Sequence, residues 1–140
     1  MTTSRRFAYT ALTNALDETV FRPLLTIDLI YHSRTITATG LLDSGADVNV
    51  LPYGLGAALG LVWEEQRYEI ALTGNLANFS ARGVIMTAKL GDFSPVNLAF
   101  AWSRAEQAPL IFGQTNFFEV FEICFNRPEG YFSITQADAK

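Results

Sequence analysis

Residues Leu41 to Asn49 read Leu-Leu-Asp-Ser-Gly-Ala-Asp-Val-Asn, an apolar run that stops at a carboxylate, a hydroxyl and a glycine. The run from Gly40 to Leu42 is too short for a helix, and Gly45 permits a backbone turn that a residue with a side chain would resist. Asp43 is therefore expected at the mouth of a strand. Asp-Ser-Gly is also common turn chemistry, because Asp and Ser bond to nearby backbone and Gly takes positive φ. The residues by themselves leave both readings open, a catalytic carboxylate and a plain turn.

The segments around this block are mostly short and extended. Leu24 to Tyr31 alternates in part, with Ile27, Leu29 and Tyr31 on one face, and Thr35 to Leu42 is rich in β-branched residues; His32-Ser33-Arg34 between them reads as a hairpin loop. Pro52 to Leu61 holds Gly54, Gly56 and Gly60 beside Leu55 and Leu59, so a turn of helix and a loop both remain open. Between residues 67 and 90 two extended segments flank a Gly74-Asn75 turn. Gly91-Asp92 marks another turn, Val96 to Trp102 a strand, Ser103 to Ala108 a polar loop and Leu110 to Phe112 a strand. Phe117, Phe118 and Phe121 fall at helical spacing within Gln114 to Phe121, a short helix packed on the core. Glu122 to Asn126 and Tyr131 to Thr135 alternate around a turn at Arg127 to Gly130. Many short strands, one short helix and no βαβ rhythm make the class all-β. Residues 1–20 mix polar and apolar positions without a clear element and read as an N-terminal arm, with one domain over residues 21–136.

Composition removes several function classes. A chain of 140 residues can bury a real core as one domain, and a hydrophobic share of 49% with eleven Phe excludes disorder for most of it. The net charge of −4, with no basic cluster beyond Arg5-Arg6, argues against a nucleic-acid partner. Cys124 is the single cysteine and cannot form an internal disulfide; its alternating segment puts it on a buried strand face. His32 is the single histidine, expected at an exposed hairpin tip, so neither a Cys–His nucleophile nor a zinc site of the usual ligands is expected. No metal or cofactor is called for. Nothing in the N-terminal residues forms an apolar signal core, and no run approaches the roughly eighteen apolar residues of a membrane span. The expectation is a cytoplasmic protein without a membrane partner.

The block Leu41-Leu42-Asp43-Ser44-Gly45-Ala46-Asp47, followed by Val50-Leu51-Pro52, resembles the active-site segment of the retropepsin-like aspartic proteases, single-domain relatives of the retroviral proteases. A second block, Pro109-Leu110-Ile111-Phe112-Gly113-Gln114 with Asn116-Phe117-Phe118 behind it, is similar to the other half of that fold, where an apolar run ends in Gly and a short helix follows. The resemblance covers roughly residues 20–135. It implies a retropepsin-like acid protease barrel with one short helix, active as a symmetric homodimer on peptide or protein substrates. It also implies that the faint kinship of the two blocks reflects two similar halves about a pseudo-twofold axis.

Metal-free peptide hydrolysis needs one carboxylate to deprotonate water and a second acid to protonate the carbonyl oxygen. A chain of this length cannot supply two such lobes, so the resemblance implies an Asp43 from each of two chains. By the same match Ser44 reaches across the axis through its hydroxyl and Gly45 offers backbone near the substrate. Ala46, Asp47 and Val48 fall where the family lines its peptide groove, and the Gly74 to Asn78 hairpin stands where the family has a flap, with Leu76 near its tip. One departure stands out. Many relatives carry Arg directly after the second-block glycine, and this chain has Gln114, which leaves an amide hydrogen bond or one of Arg82, Arg104 and Arg127 to serve Asp47. The alternative function is a catalytically inactive dimer of the same fold that binds peptides or partner proteins.

Overall fold

A computed structural model describes residues 3–136 of the chain. Six strands close into a barrel. In chain order these are β4 (Leu24–Tyr31), β5 (Arg34–Leu42), β6 (Asn49–Leu51), β7 (Ala81–Lys89), β8 (Val96–Ser103) and β9 (Ile111–Phe112). They follow one another around it as β4-β5-β9-β6-β8-β7. The β4–β5 hairpin pairs in full register from Leu24↔Leu41 to Tyr31↔Arg34, turning at His32, whose φ of 54° is the left-handed value such a tip requires. The period-two pattern sets which face goes inward. Leu25, Ile27 and Leu29 alternate into the core, and Asp28 instead accepts a hydrogen bond from Thr37 on the outer face (2.6 Å).

Two parallel pairings bring the sequence blocks together. Strand β5 lies parallel to β9 through Leu41↔Ile111 and Leu42↔Phe112, while β6 runs parallel to β8 and meets β9 at Val50↔Ile111. The ends of β5 and β9 therefore stand side by side, and the chain leaves both at the same rim of the barrel.

Two short helices brace this frame. Helix α1 (Tyr53–Ala58) occupies the segment that sequence left undecided, its Gly56 pressed against the indole of Trp102. Trp102 is fully buried, stacks on Tyr53 at 5.3 Å and donates its indole N–H to the Tyr53 carbonyl (3.1 Å). Helix α2 (Phe117–Val120) buries Phe117 between Phe112 (4.7 Å) and Phe121 (4.9 Å), as the helical spacing of those aromatics predicts.

Three strands lie between residues 3 and 22, where sequence reads residues 1–20 as an arm without a clear element. β1 (Thr3–Ala8) pairs antiparallel with β11 (Tyr131–Gln136), which also pairs with β10 (Glu122–Asn126); β2 (Thr10–Thr13) and β3 (Thr19–Arg22) form a separate hairpin. Phe7 stacks on the buried Phe132 at 5.5 Å, so the N-terminal strand closes one side of the core. The expectation for Cys124 is corrected here. β10 lies at the edge of the three-stranded sheet, and its Ile123 turns toward the core while Glu122 and Cys124 face outward, leaving an exposed free thiol.

Candidate active site

Asp43 follows directly on β5, where its N–H donates to the Phe112 carbonyl at the end of β9 (2.9 Å). Beyond it the chain turns. Ala46 N–H bonds back to the Asp43 carbonyl (3.1 Å), and Gly45 N–H donates to Asp43 Oδ1 (2.9 Å), fixing the orientation of a half-buried carboxylate. This is the Asx turn that Asp-Ser-Gly chemistry predicts, and it aims the carboxylate into a groove of about 950 Å³. Turn and presented acid are one object.

The second block holds that turn from behind. Gln114 N–H donates to the Ala46 carbonyl (2.9 Å) and Thr115 N–H to that of Asp47 (2.8 Å). The contact is close enough that a Cβ on Gly113 would lie 2.5 Å from the Val48 oxygen and 2.8 Å from that of Ala46, so only glycine fits. The Gln114 side chain completes the clasp, its amide donating to the Ser44 carbonyl at 2.8 Å. Asp47 is exposed, and among the described residues its carboxylate pairs with none of the arginines considered for it. Arg82 and Arg104 stack over aromatic rings, and Arg127 lies over Phe21 and Tyr9. The place of the expected arginine is thus served by an amide hydrogen bond, reaching Ser44 instead of Asp47.

Beneath the turn lies a polar pair that sequence reasoning missed. Asn49 is fully buried, accepts from Gly113 N–H (2.7 Å) and donates to the Ala99 carbonyl (2.9 Å) and to Asn116 Oδ1 (3.2 Å). Asn116 in turn accepts from Ala99 N–H (3.0 Å) and donates to the Asn97 carbonyl (3.1 Å). One network, buried at Asn49 and half-buried at Asn116, therefore ties β6, β8 and the Gly113 loop together and gives the Gly113 N–H its partner.

The predicted flap differs from expectation. Residues Ala81–Lys89 are strand β7, but the preceding segment makes only an isolated bridge at Glu69↔Arg82 and two backbone bonds, Ile70 N–H to Ala81 (2.9 Å) and Gly83 N–H to Tyr68 (2.8 Å). Gly74 has the positive φ (66°) that a two-residue Gly-Asn turn would also use, but no strands pair on its two sides, and Gly74–Leu76 coil into a 3₁₀ turn instead. Leu76 still faces the site. It is half-buried, packs with Leu72 against Val48, Val50, Ala105 and Ala108, and lines the groove beside Asp43. Of the sequence-chosen residues, Asp43, Gly45, Ala46, Asp47, Val48 and Leu76 line it, whereas Ser44 and Gly74 are exposed and do not.

Residues 104–109 form a wall of the groove that sequence treats only as a polar loop. Trp63 anchors it. The Arg82 guanidinium lies over that indole at 4.6 Å and donates to the Trp63 carbonyl (2.7 Å), while Arg104 lies over Trp63 at 5.1 Å and Tyr53 at 4.7 Å. Trp63 thus links the base of the loop that carries Leu76 to the Arg104 wall.

No protein-family model matches the chain, and no curated protein matches it in sequence. Solved structures do. A retropepsin-like aspartic protease from Rickettsia conorii superposes with a TM-score of 0.64 at 14% identity, over 99% of this chain and 95% of that one. An EIAV protease complexed with the inhibitor HBY-793 gives 0.51 at 19% identity, over 77% of this chain and 92% of the other. The chain has the retropepsin-like fold. The first of these likenesses takes in nearly the whole chain, the N-terminal strands included.

Proposed function

We propose that this chain is an aspartic endopeptidase that works as a symmetric homodimer, one Asp43 from each subunit forming the catalytic pair. The observation that carries this reading is the Asp43 carboxylate itself, half-buried, oriented by the Gly45 N–H and opening into a groove of about 950 Å³. A plain turn has no need of a groove over its aspartate. In such a pair two carboxylates about 3 Å apart cannot both ionise, so they share a proton. One draws a proton from water as it attacks the peptide carbonyl, and the other protonates the carbonyl oxygen. Ser44 sits next to Asp43 on the exposed side, where its hydroxyl is available to a second subunit. Gly45, Ala46, Asp47 and Val48 would contact the substrate backbone, and the loop from Gly74 through Leu76 would close over it.

The test is cleavage of a peptide library by the wild-type chain and by Asp43→Asn, with molecular mass followed by light scattering. Loss of cleavage in a variant that remains dimeric supports the reading. Cleavage that survives the substitution, or activity in a strictly monomeric protein, would sink it. An intact dimer that binds peptides and cleaves none makes the chain a peptide-binding relative of the fold.

A further inference from the structure

A second groove of about 560 Å³ opens beside the first, and Val48 lines both. Its other walls include Tyr68, Ile70, Ile85, Ala99 and Thr115. They are apolar for the most part and well exposed, with Ile85 at 67% and Tyr68 at 77%. Ile85 on β7, and Tyr68 in the segment that bonds to β7 at Gly83, leave apolar surface in water along one groove that a bound chain would cover. Thr115, which lines the second groove, pairs with Val48 in an isolated parallel bridge, so the residue common to both grooves is held by the second groove's own lining.

We propose that this second groove is an outlying subsite for the same polypeptide substrate, receiving a large apolar side chain beyond the residues that fill the Asp43 groove. The inference rests on the first groove being the peptide site. A peptide leaving that groove over Val48 meets the second, because Val48 lines both. The occupant is therefore the distal part of an extended substrate, which favours unfolded or loosely held polypeptides over short peptides. Specificity at this position is for bulk and apolarity: Glu65 and Arg67 on the rim carry opposite charges and set no sign preference.

The experiment compares three peptides around one cleavable core: the core alone, the core lengthened by four residues at each end with leucine and tyrosine in the extensions, and the same length with serine there. Four residues reach roughly 13 Å further in extended form. The apolar extension is expected to raise kcat/KM about tenfold over the serine extension, the gain from seating one large apolar side chain. Ile85→Asp should erase that gain and leave cleavage of the core peptide within about twofold, with Tyr68→Ser as a second variant of an exposed side chain. Equal rates for the two extended peptides, or a preference that survives both substitutions, overturns the subsite. If no peptide is cleaved, fluorescence anisotropy of the labelled extended peptides on the Asp43→Asn protein decides separately. Tighter binding of the apolar extension, lost in the added Ile85→Asp change, upholds the subsite even as the protease reading fails, and equal binding overturns it.

Discussion

The Gln114 amide donates a 2.8 Å hydrogen bond to the Ser44 carbonyl, binding the residue after the second-block glycine to the residue after Asp43. The bond spans the rim of the barrel where β5 and β9 end, so it restrains the Asp43 turn through a residue that does not line the groove. Gln114→Ala should lower kcat/KM several-fold through a looser turn, because the bond is exposed and one such bond is worth about 0.5 to 1.5 kcal/mol. Gln114→Glu should do at least as much harm, since a carboxylate cannot donate and would face a carbonyl oxygen. Steady-state kinetics beside melting curves separates the two effects: a fall in kcat/KM is expected at temperatures well below the Tm, which itself drops by only a few degrees.

Asn49 is the residue on which the site's foundation depends most. Asn49→Ala would leave the buried Gly113 N–H without its partner and remove the donor to the carbonyl of the exposed Ala99, at a cost of about 1 to 3 kcal/mol set mainly by the Gly113 N–H. Asn49→Asp keeps the acceptor for Gly113 but loses both donors and buries a charge, so it should be the worse of the two. Urea unfolding of both variants checks the order. An Asn49→Asp protein as stable as wild type would mean that the network carries little of the fold's stability.

How much of this was legible in the sequence differs from element to element, for physical reasons. The β4–β5 hairpin and the Phe117 helix declare themselves through period, because each buries one face against the core. The Asp43 turn is legible because the Asp side chain bonds to the backbone two residues on, although Gly45 takes no positive φ there. The Asn49–Asn116 pair has no local signal: two asparagines far apart in the chain become partners only when β6 lies beside β8 and the segment after β9 docks on Asn97 and Ala99. Strand β1 is equally silent, since its partner β11 lies at the other end of the chain, beginning with Thr3↔Gln136. Cys124 shows the limit of alternation, which separates two faces and does not say which one an edge strand turns to water. The segment before β7 carries Gly-Asn turn chemistry that sequence reads as a hairpin, but that signal does not fix strand pairing, and packing against Val50, Ala105 and Ala108 brings Leu76 to the groove.

Leu76→Asp tests the loop. Leu76 packs on the groove-lining apolar cluster, so a charge there should weaken peptide turnover, mainly by raising KM, without unfolding the barrel. Circular dichroism and turnover measured on one preparation decide it. Unchanged turnover would make the 3₁₀ turn mere surface.

Arg5 and Asp92 form an exposed ion pair at 2.5 Å that ties β1 to the turn before β8. The guanidinium's hydrogen bond holds the Asp92 carboxyl below its usual range. A carboxyl whose pKa is lower folded than unfolded adds stability that is full above the unfolded value and fades as pH falls through the folded one. Wild type should thus exceed Asp92→Asn in stability by a small margin at pH 7, reduced by salt, and the margin should vanish in strong acid. Melting curves at pH 7 and pH 2, with and without 1 M salt, read this directly; a margin that grows on acidification contradicts the assignment.

The shared aspartate pair yields the most discriminating measurement. If each active site needs one Asp43 from each of two chains, a dimer with a single Asp43→Asn subunit lacks either the base or the acid, and is inactive. Mixing wild-type and Asp43→Asn chains under free exchange gives random pairing, so at equal amounts about a quarter of the dimers keep both carboxylates. Activity should follow the square of the wild-type fraction at constant total protein. A linear decline means that each chain cleaves alone, and then the second acid must be sought within the same groove, where Asp47 and Glu106 are the carboxylates beside Asp43. Exchange must be complete for the curve to be read, which a tagged subunit confirms by appearing in mixed dimers before the assay begins.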